Sequence, residues 1–201
     1  MKNNFNIIKV GVTNCYLLKS SRSNILIDTG YKGKAKIILE YIQSLGISPK
    51  SIKLIILTHA HYDHVGNALG LKKATEAKIL LHKDDLPLLD SGITTNQSTK
   101  PLNMWGNILL RKISSIDTKF SKVIPDILID SEFDLAEYGI NGMIIHTPGH
   151  SKGSVSILLN SGDAFIGDLA MNGFPLRLGA GEPIFGDDIE EVYQSWKKLV
   201  E

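Results

Sequence analysis

Three histidines and one aspartate stand within six positions of the segment Thr58–His64, which reads T-H-A-H-Y-D-H. The almost continuously apolar run Ile52–Leu57 precedes them, a pattern typical of a strand covered on both faces. Three imidazoles so close together would be awkward in a core. Imidazole and carboxylate are the ligands that divalent metals such as zinc prefer. The segment therefore predicts a metal site at the end of a buried strand.

The spacing within this segment leaves room for two ions. In an extended or turning backbone His59 and His61 project to one side and can hold one ion. Asp63 and His64 lie one turn further on and can face a neighbouring ion. Two ions about 3.5 to 4 Å apart would form the usual dinuclear arrangement.

Four motifs of the chain, in this order, resemble those of the metallo-β-lactamase-fold hydrolases. The run Ile25–Gly30 is similar to their L-I-D-T-G strand end, and Thr58–His64 carries their H-x-H-x-D-H signature. The run Thr147–Ser154 is similar to their T-P-G-H-T-x-G-S loop, and Ile166–Asp168 to the G-D loop that supplies a bridging carboxylate. The resemblance extends from about residue 7 to the final helix.

This resemblance implies a fold and a set of metal ligands. The fold would be of the α/β (α+β) class, a four-layer αββα sandwich of two mixed β-sheets flanked by helices, with the ligands on loops at one edge. The cofactor would be zinc, two ions in the complete protein, with iron or manganese as alternatives. The implied ligands are His59, His61 and His150 for the first ion, Asp63 and His64 for the second, and Asp168 as the bridge.

One ligand of the resembled family has no counterpart in the sequence. That family usually ends with a further strand and a G-H motif whose histidine completes the second metal site. The histidines here are at positions 59, 61, 64, 82, 146 and 150, and none occupies that place. We therefore expect either that the natural chain continues past Glu201 and supplies this histidine, or that the second site is depleted.

Four further polar or reactive residues have simpler interpretations. Asp28 either orients a ligand imidazole through the imidazole's second nitrogen or caps a turn. His82 and His146 each end an apolar strand outside the ligand motifs, and we expect structural or supporting roles for them. Cys15 lies inside an apolar strand and is expected to be a small core residue.

The hydrophobic pattern predicts one domain over residues 1–201, with a helical insertion at about 90–122. Short strands precede an amphipathic helix that starts near Lys34, and a second strand set is followed by a helix near the C-terminus. Asp187 and Glu190 form a pair that resembles a capping box at the start of that last helix. The apolar residues of the insertion either pack in the ordinary way or form a lid over a substrate pocket; they are Met104, Trp105, Leu109 and Leu110.

The composition indicates which kinds of partner and which cellular compartment to expect. With 22 basic and 21 acidic residues the net charge is +1, which argues against a nucleic acid bound through bulk charge. The single cysteine excludes an intrachain disulfide. Neither a signal peptide nor a membrane span is recognisable. We expect a soluble cytoplasmic protein that acts on a small molecule, and the sequence does not predict its oligomeric state.

These observations together predict a metal-dependent hydrolase. A metal-bound hydroxide would attack a small carbonyl ester-type bond, in a thioester or a lactone, and Asp63 would receive or relay the proton as a catalytic residue. β-Lactam hydrolysis, a mono-iron persulfide dioxygenase and a non-catalytic metal- or ligand-binding member are the alternatives. Many acyl-homoserine lactonases carry a tyrosine three residues after the bridging aspartate. Met171 stands at that place and disfavours this particular lactone class.

Overall fold

The computed structural model describes residues 5–95, 100–102, 104, 106–108, 116–171 and 181–201. In this part of the chain two β-sheets face each other, and helices cover their outer sides. In chain order the strands are β1 (Phe5–Val10), β2 (Thr13–Lys19), β3 (Asn24–Ile27), β4 (Ile52–Ile56), β5 (Lys78–His82), β6 (Lys100–Pro101), β7 (Ile127–Ile129), β8 (Phe133–Asp134), β9 (Gly142–His146), β10 (Val155–Leu159), β11 (Ala164–Phe165) and β12 (Phe185–Gly186). The helices are α1 (Ala35–Ser44), α2 (Tyr62–Val65), α3 (Ala68–Thr75), α4 (Leu86–Ser91) and α5 (Ile189–Val200).

Within the described residues, the larger sheet has six strands in the order β1-β2-β3-β4-β5-β7. The first three pair antiparallel, and the pairs β3–β4, β4–β5 and β5–β7 are parallel. The smaller sheet has the antiparallel order β11-β10-β9-β8, and β6 pairs with β12 separately. The mixed α/β fold class predicted from the sequence is confirmed.

Alternate residues of the central strands supply two different cores. Leu26 on β3 faces the helices and packs in one cluster with Ile38 and Ile42 of α1. Its neighbours Ile25 and Ile27 face the smaller sheet and belong to a second cluster. Because successive side chains of a strand point to opposite faces, a strand in the middle of this sandwich must be apolar at nearly every position. This explains the continuous apolar run that leads into the histidine-rich segment.

Two short helices follow the histidine-rich segment, and α2 and α3 are separated at Gly66 and Asn67. The chain passes close to another segment at Gly66, since a Cβ there would lie 2.2 Å from the backbone nitrogen of Lys32.

The capping residue of α5 corrects an expectation from the sequence. It is Asp188 rather than Asp187, and its carboxylate accepts the backbone N–H groups of Glu190 and Glu191. Asp187 precedes the cap, and its own N–H donates to the carbonyl of Gly149 at 2.9 Å.

Cys15 is fully buried as a free thiol, as expected. No helix among the described residues has the length and apolar character that crossing a membrane requires.

Candidate metal centre

The chemistry-bearing loops meet at one edge of the sandwich. Parallel pairing of β3 with β4 brings the carboxyl ends of both strands together, so that Asp28 lies beside the segment 58–64. Val155, the first residue of β10, donates its N–H to the carbonyl of Thr58 at 2.9 Å and joins the smaller sheet to this edge. The β9–β10 loop contributes His150, and the turn after β11 contributes Asp168.

Three buried histidines form the first group of ligand atoms. His59, His61 and His150 each offer one nitrogen, and these atoms lie within 4.8 Å of one another. The distances between their ring centroids are 4.6, 4.6 and 4.7 Å, so the rings form a nearly equilateral triangle. Nδ1 of His61 lies 2.9 Å from Nε2 of His150. Two nitrogen ligands of a tetrahedral zinc ion would be about 3.3 Å apart, so a small relaxation opens this triangle to an ion.

A second group shares His59 and adds His64 and Asp168. Nε2 of His64 lies 3.3 Å from Oδ1 of Asp168, while Oδ2 of Asp168 lies 3.8 Å from Nε2 of His150. The two oxygens of Asp168 thus face the two groups. Asp63 lies at the margin, with Oδ2 4.0 Å from Nε2 of His64, and it is in neither group.

Hydrogen bonds on the outer side of the rings fix which nitrogen faces the centre. Nδ1 of His64 donates to Oδ2 of Asp28 at 2.8 Å, and Nδ1 of His150 donates to the carbonyl of Phe185 at 2.8 Å. Nδ1 of His59 lies 3.1 Å from the hydroxyl of Thr58, which itself donates to Asp28. Each of these three rings therefore directs Nε2 inward, as metal-ligating histidines held by a second hydrogen bond do. Asp28 orients a ligand-type imidazole, the first of the two interpretations given above.

The residues fit a metal ion. Nε2 of His59 is completely buried and has no hydrogen-bond partner among the described residues. An unpaired polar atom in the interior is costly, and an ion bound by the lone pair of that nitrogen would remove the cost. The donor set of imidazoles and carboxylates is the one that zinc and similar divalent metals take.

Comparison with known proteins identifies the family. The sequence profile of the metallo-beta-lactamase superfamily matches residues 8–201. The chain belongs to this superfamily. The resemblance found in the four sequence motifs is thereby confirmed.

Relatives and solved structures agree with this assignment. The chain is 32% identical over 189 residues to the "Beta-lactamase-like protein 2 homolog" of Drosophila melanogaster, an alignment that covers 94% of this chain and 54% of the relative. It is 27% identical to the "Hydroxyacylglutathione hydrolase GloC" of Haemophilus influenzae, over 80% of this chain and 68% of that one. The chain thus spans about half the length of the first relative and two thirds of the second.

Among solved structures, BJP-1, a subclass B3 metallo-beta-lactamase of Bradyrhizobium japonicum, superimposes with a TM-score of 0.69 and 25% identity. This similarity covers 98% of our chain and 70% of BJP-1. The four-layer αββα sandwich expected for the superfamily is therefore the fold of this member.

Negative charge is concentrated around His64 in the centre. Burial alone lowers the pKa of this imidazole, but the carboxylates of Asp28, Asp168 and Asp63 raise it well above its ordinary value. At His59, burial lowers the pKa far below the ordinary value, and the neighbouring histidines add to the effect. The pKa values of the two imidazoles therefore shift in opposite directions. A centre with this charge distribution favours a cation.

Asp85 is a buried residue that holds the ligand loops together, and the sequence did not predict this role. Its carboxylate accepts the N–H of Ala60 at 2.8 Å, the hydroxyl of Ser151 at 2.9 Å and the N–H of Gly153 at 2.7 Å. It thus ties the loop that carries His59 and His61 to the loop that carries His150. Partners 25 to 68 positions apart in the chain leave no local pattern from which this role could be predicted.

Asn67 holds the remaining loop. Its Nδ2 donates to the carbonyls of Thr29 and Tyr31, and its Oδ1 accepts the N–H groups of Lys34 and Ala35. This network fixes the turn after Asp28.

Of the predicted insertion, Met104 is described as helical and exposed, whereas Trp105, Leu109 and Leu110 lie outside the described residues. The lid interpretation and the limits of the insertion stay predictions.

Proposed function

We propose that the protein is a zinc-dependent hydrolase that cleaves a small carbonyl ester-type bond, in a thioester or a lactone. The observation that carries the proposal is the geometry of Asp168. Its two oxygens face two different groups of ligand-type side chains, which share His59 and lie at one edge of the sandwich. Paired sites bridged by a carboxylate are typical of metal-assisted hydrolysis.

The proposed ligand assignment starts from the two groups, gives the shared His59 to the first ion, and adds Asp63, which lies at the margin, to the second. His59, His61 and His150 would hold the first ion, Asp63 and His64 would help to hold the second, and Asp168 would bridge them. A bound zinc ion lowers the pKa of a coordinated water towards neutrality and polarises a substrate carbonyl. The first ion, with three imidazoles, should be bound more tightly than the second, for which His64 would be the one imidazole besides the carboxylates.

The protein side chains set the direction of approach and move the proton. The histidines of the centre are almost completely buried, but the side chains of Asp63 and Asp168 are 16% and 23% exposed. A substrate therefore reaches the centre from the side on which these two carboxylates lie. Burial raises the pKa of the Asp63 carboxyl group, so that this group readily accepts a proton and can pass it to the leaving group. Asp28 and Asp85 keep the histidines in place and need not move.

Two comparisons suggest the bond that is cleaved. The similarity to a protein named as a hydroxyacylglutathione hydrolase favours a thioester. The structural similarity to a subclass B3 metallo-beta-lactamase favours a β-lactam as the second candidate. Both bonds present an activated carbonyl to the same kind of centre. We also propose a small-molecule substrate and a cytoplasmic location, in keeping with the single buried thiol and the near-neutral charge.

A substrate panel tests the proposal. Zinc-loaded protein is assayed against thioesters, lactones, β-lactams and phosphodiesters, with and without a chelator, and oxygen consumption is followed with a persulfide. We expect chelator-sensitive turnover of a thioester or lactone. Preferential turnover of the β-lactam supports the second candidate. Turnover of phosphodiesters, iron-dependent oxygen consumption, or no turnover of any substrate by fully loaded protein contradicts the proposal.

A further inference from the structure

A second cluster of ligand-type side chains lies outside the candidate centre. His82 ends β5 of the larger sheet, His146 ends β9 of the smaller sheet, and Asp84 follows His82 by two residues. One ligand atom of each lies within 4.8 Å of the others. His82 is 1% exposed, whereas the side chain of Asp84 is 44% exposed. The cluster therefore joins the two sheets and has one accessible member.

Hydrogen bonds define the nitrogens that this cluster can offer. Nε2 of His146 lies 2.8 Å from the carbonyl of Lys152, so this nitrogen carries the proton and Nδ1 carries the lone pair. An N–H donated to a backbone carbonyl is the usual second contact of a metal-ligating histidine. Nδ1 of His82 lies 3.6 Å from Oδ2 of Asp84 and accepts a long hydrogen bond, at 3.3 Å, from the N–H of that residue. The Nδ1 lone pair of His82 therefore points towards the backbone N–H of Asp84, and the carboxylate of that residue lies nearby.

The ring of His82 is only partly hydrogen-bonded. Its Nε2 is buried and has no hydrogen-bond partner among the described residues. Its ring stacks on that of His146, with 3.9 Å between centroids and 7° between planes. Burial, and then the proximity of His146, lower the pKa of His82, so that the ring is neutral and able to bind a metal. A metal ion binds in the plane of an imidazole ring, and the planes of His82 and His146 are nearly parallel. One of the two rings must therefore tilt before both can bind the same ion.

A cavity beside the cluster provides the route for a cation. Its volume is about 530 Å³, and Asp84 and His146 belong to its wall. The charged groups in the wall are four carboxylates and two ammonium groups, so negative charge predominates; they are Asp84, Asp187, Asp188, Glu191, Lys100 and Lys152. Such a wall attracts divalent cations to the accessible carboxylate of the cluster.

We propose that His82, Asp84 and His146 bind a divalent transition-metal ion of the zinc type, at a site distinct from the candidate centre. One ring nitrogen of each histidine and the carboxylate of Asp84 are the ligands, a set that zinc accepts. The bound ion joins the end of β5 to the end of β9. The site involves none of the centre's ligands, and its existence does not depend on the proposed hydrolysis.

Histidine-selective ¹⁵N NMR tests this site directly. The full chain is labelled at its imidazole nitrogens and titrated with Zn²⁺ alone. The separate signals distinguish His82 and His146 from the four histidines of the centre. We expect the imidazole nitrogen signals of His82 and His146 to shift together. In Asp84→Asn, an exposed substitution that leaves the fold intact, the shift should need at least about tenfold more zinc. Glu191→Gln is the matched control, since it removes a charge from the same cavity without touching the cluster.

Two results would overturn the proposal. In the first, the signals of His82 and His146 stay fixed at saturating zinc while those of the centre shift. In the second, Glu191→Gln weakens the response as much as Asp84→Asn, which means that the cavity attracts cations through charge alone. Because the readout is the imidazole signal, loss of hydrolysis affects neither result.

Discussion

The carboxylate of Asp28 accepts a hydrogen bond from Nδ1 of His64 at 2.8 Å and holds this imidazole with Nε2 facing Asp168. Asp28 does so from a left-handed backbone conformation, with φ at 59°. Aspartate and asparagine tolerate this region better than most residues. The same carboxylate accepts the N–H and the hydroxyl of Thr58, so that one side chain positions both the ligand ring and the start of its loop.

Replacing Asp28 with asparagine tests this relationship. Asparagine keeps the backbone conformation but offers one acceptor oxygen in place of two, so the orientation of His64 is weakened. We expect zinc affinity at the second group to fall by about 10- to 100-fold while the fold is retained. Chelator competition measures the affinity, and circular dichroism checks the fold. Asp130→Asn, which alters an exposed ion pair with Lys83, is the control and should leave zinc affinity unchanged.

Replacing Asp85 with alanine should destabilise the protein and loosen the centre. The substitution leaves the buried N–H groups of Ala60 and Gly153 without their acceptor, and each costs about 1–3 kcal/mol. Urea unfolding should therefore show a loss of at least about 2 kcal/mol, with weaker zinc binding by the first group. Asp126→Ala is the control, because its carboxylate also accepts a backbone N–H, that of Ile79, but at an exposed position. Equal losses in the two variants would contradict the role given to Asp85.

Gly66, which lies between α2 and α3, and Gly70, which lies within α3, should respond in opposite ways to alanine. A Cβ on Gly66 would lie 2.2 Å from the nitrogen of Lys32 and 2.6 Å from the carbonyl oxygen of Gly30, both of them backbone atoms. We expect Gly66→Ala to cost about 1–3 kcal/mol or more. A Cβ on Gly70 meets the Cβ of Ala35 at 3.7 Å, an ordinary contact, so Gly70→Ala should stabilise α3 by about 0.5–1 kcal/mol. Thermal unfolding distinguishes the two, and destabilisation of similar size in both would count against the close crossing at Gly66.

The reactivity of Cys15 should report on unfolding. Complete burial raises the pKa of this thiol far above its ordinary value. Raising the pH from 7 to 9 should therefore accelerate alkylation of the urea-unfolded chain and leave the folded protein unreactive. Mass spectrometry of iodoacetamide-treated samples measures the difference. Rapid labelling of the folded protein at pH 9 would show that β2 is not packed as described.

The sequence predicts most of the ligand residues of the site but few of the residues whose hydrogen bonds hold the ligand loops in place. The segment from His59 to His64 was recognisable because its ligands are adjacent in the chain and follow an apolar strand. Asp28 was recognisable from its place at a strand end. The roles of Asp85 and Asn67 were not predicted, because their hydrogen bonds connect segments that only folding brings together. The stacking of His82 on His146 was missed for the same reason, since the two belong to different sheets.

The most direct test of the central claim is the rate of thioester hydrolysis as zinc is added back to metal-stripped protein. The wild type and His61→Gln are compared, and circular dichroism verifies that both are folded. We predict that the wild-type rate rises from near zero to a plateau as zinc binds, and that His61→Gln stays near zero at the same zinc concentrations. A rate that is independent of zinc, or equal rates in the two proteins, would contradict the assignment of hydrolysis to this centre.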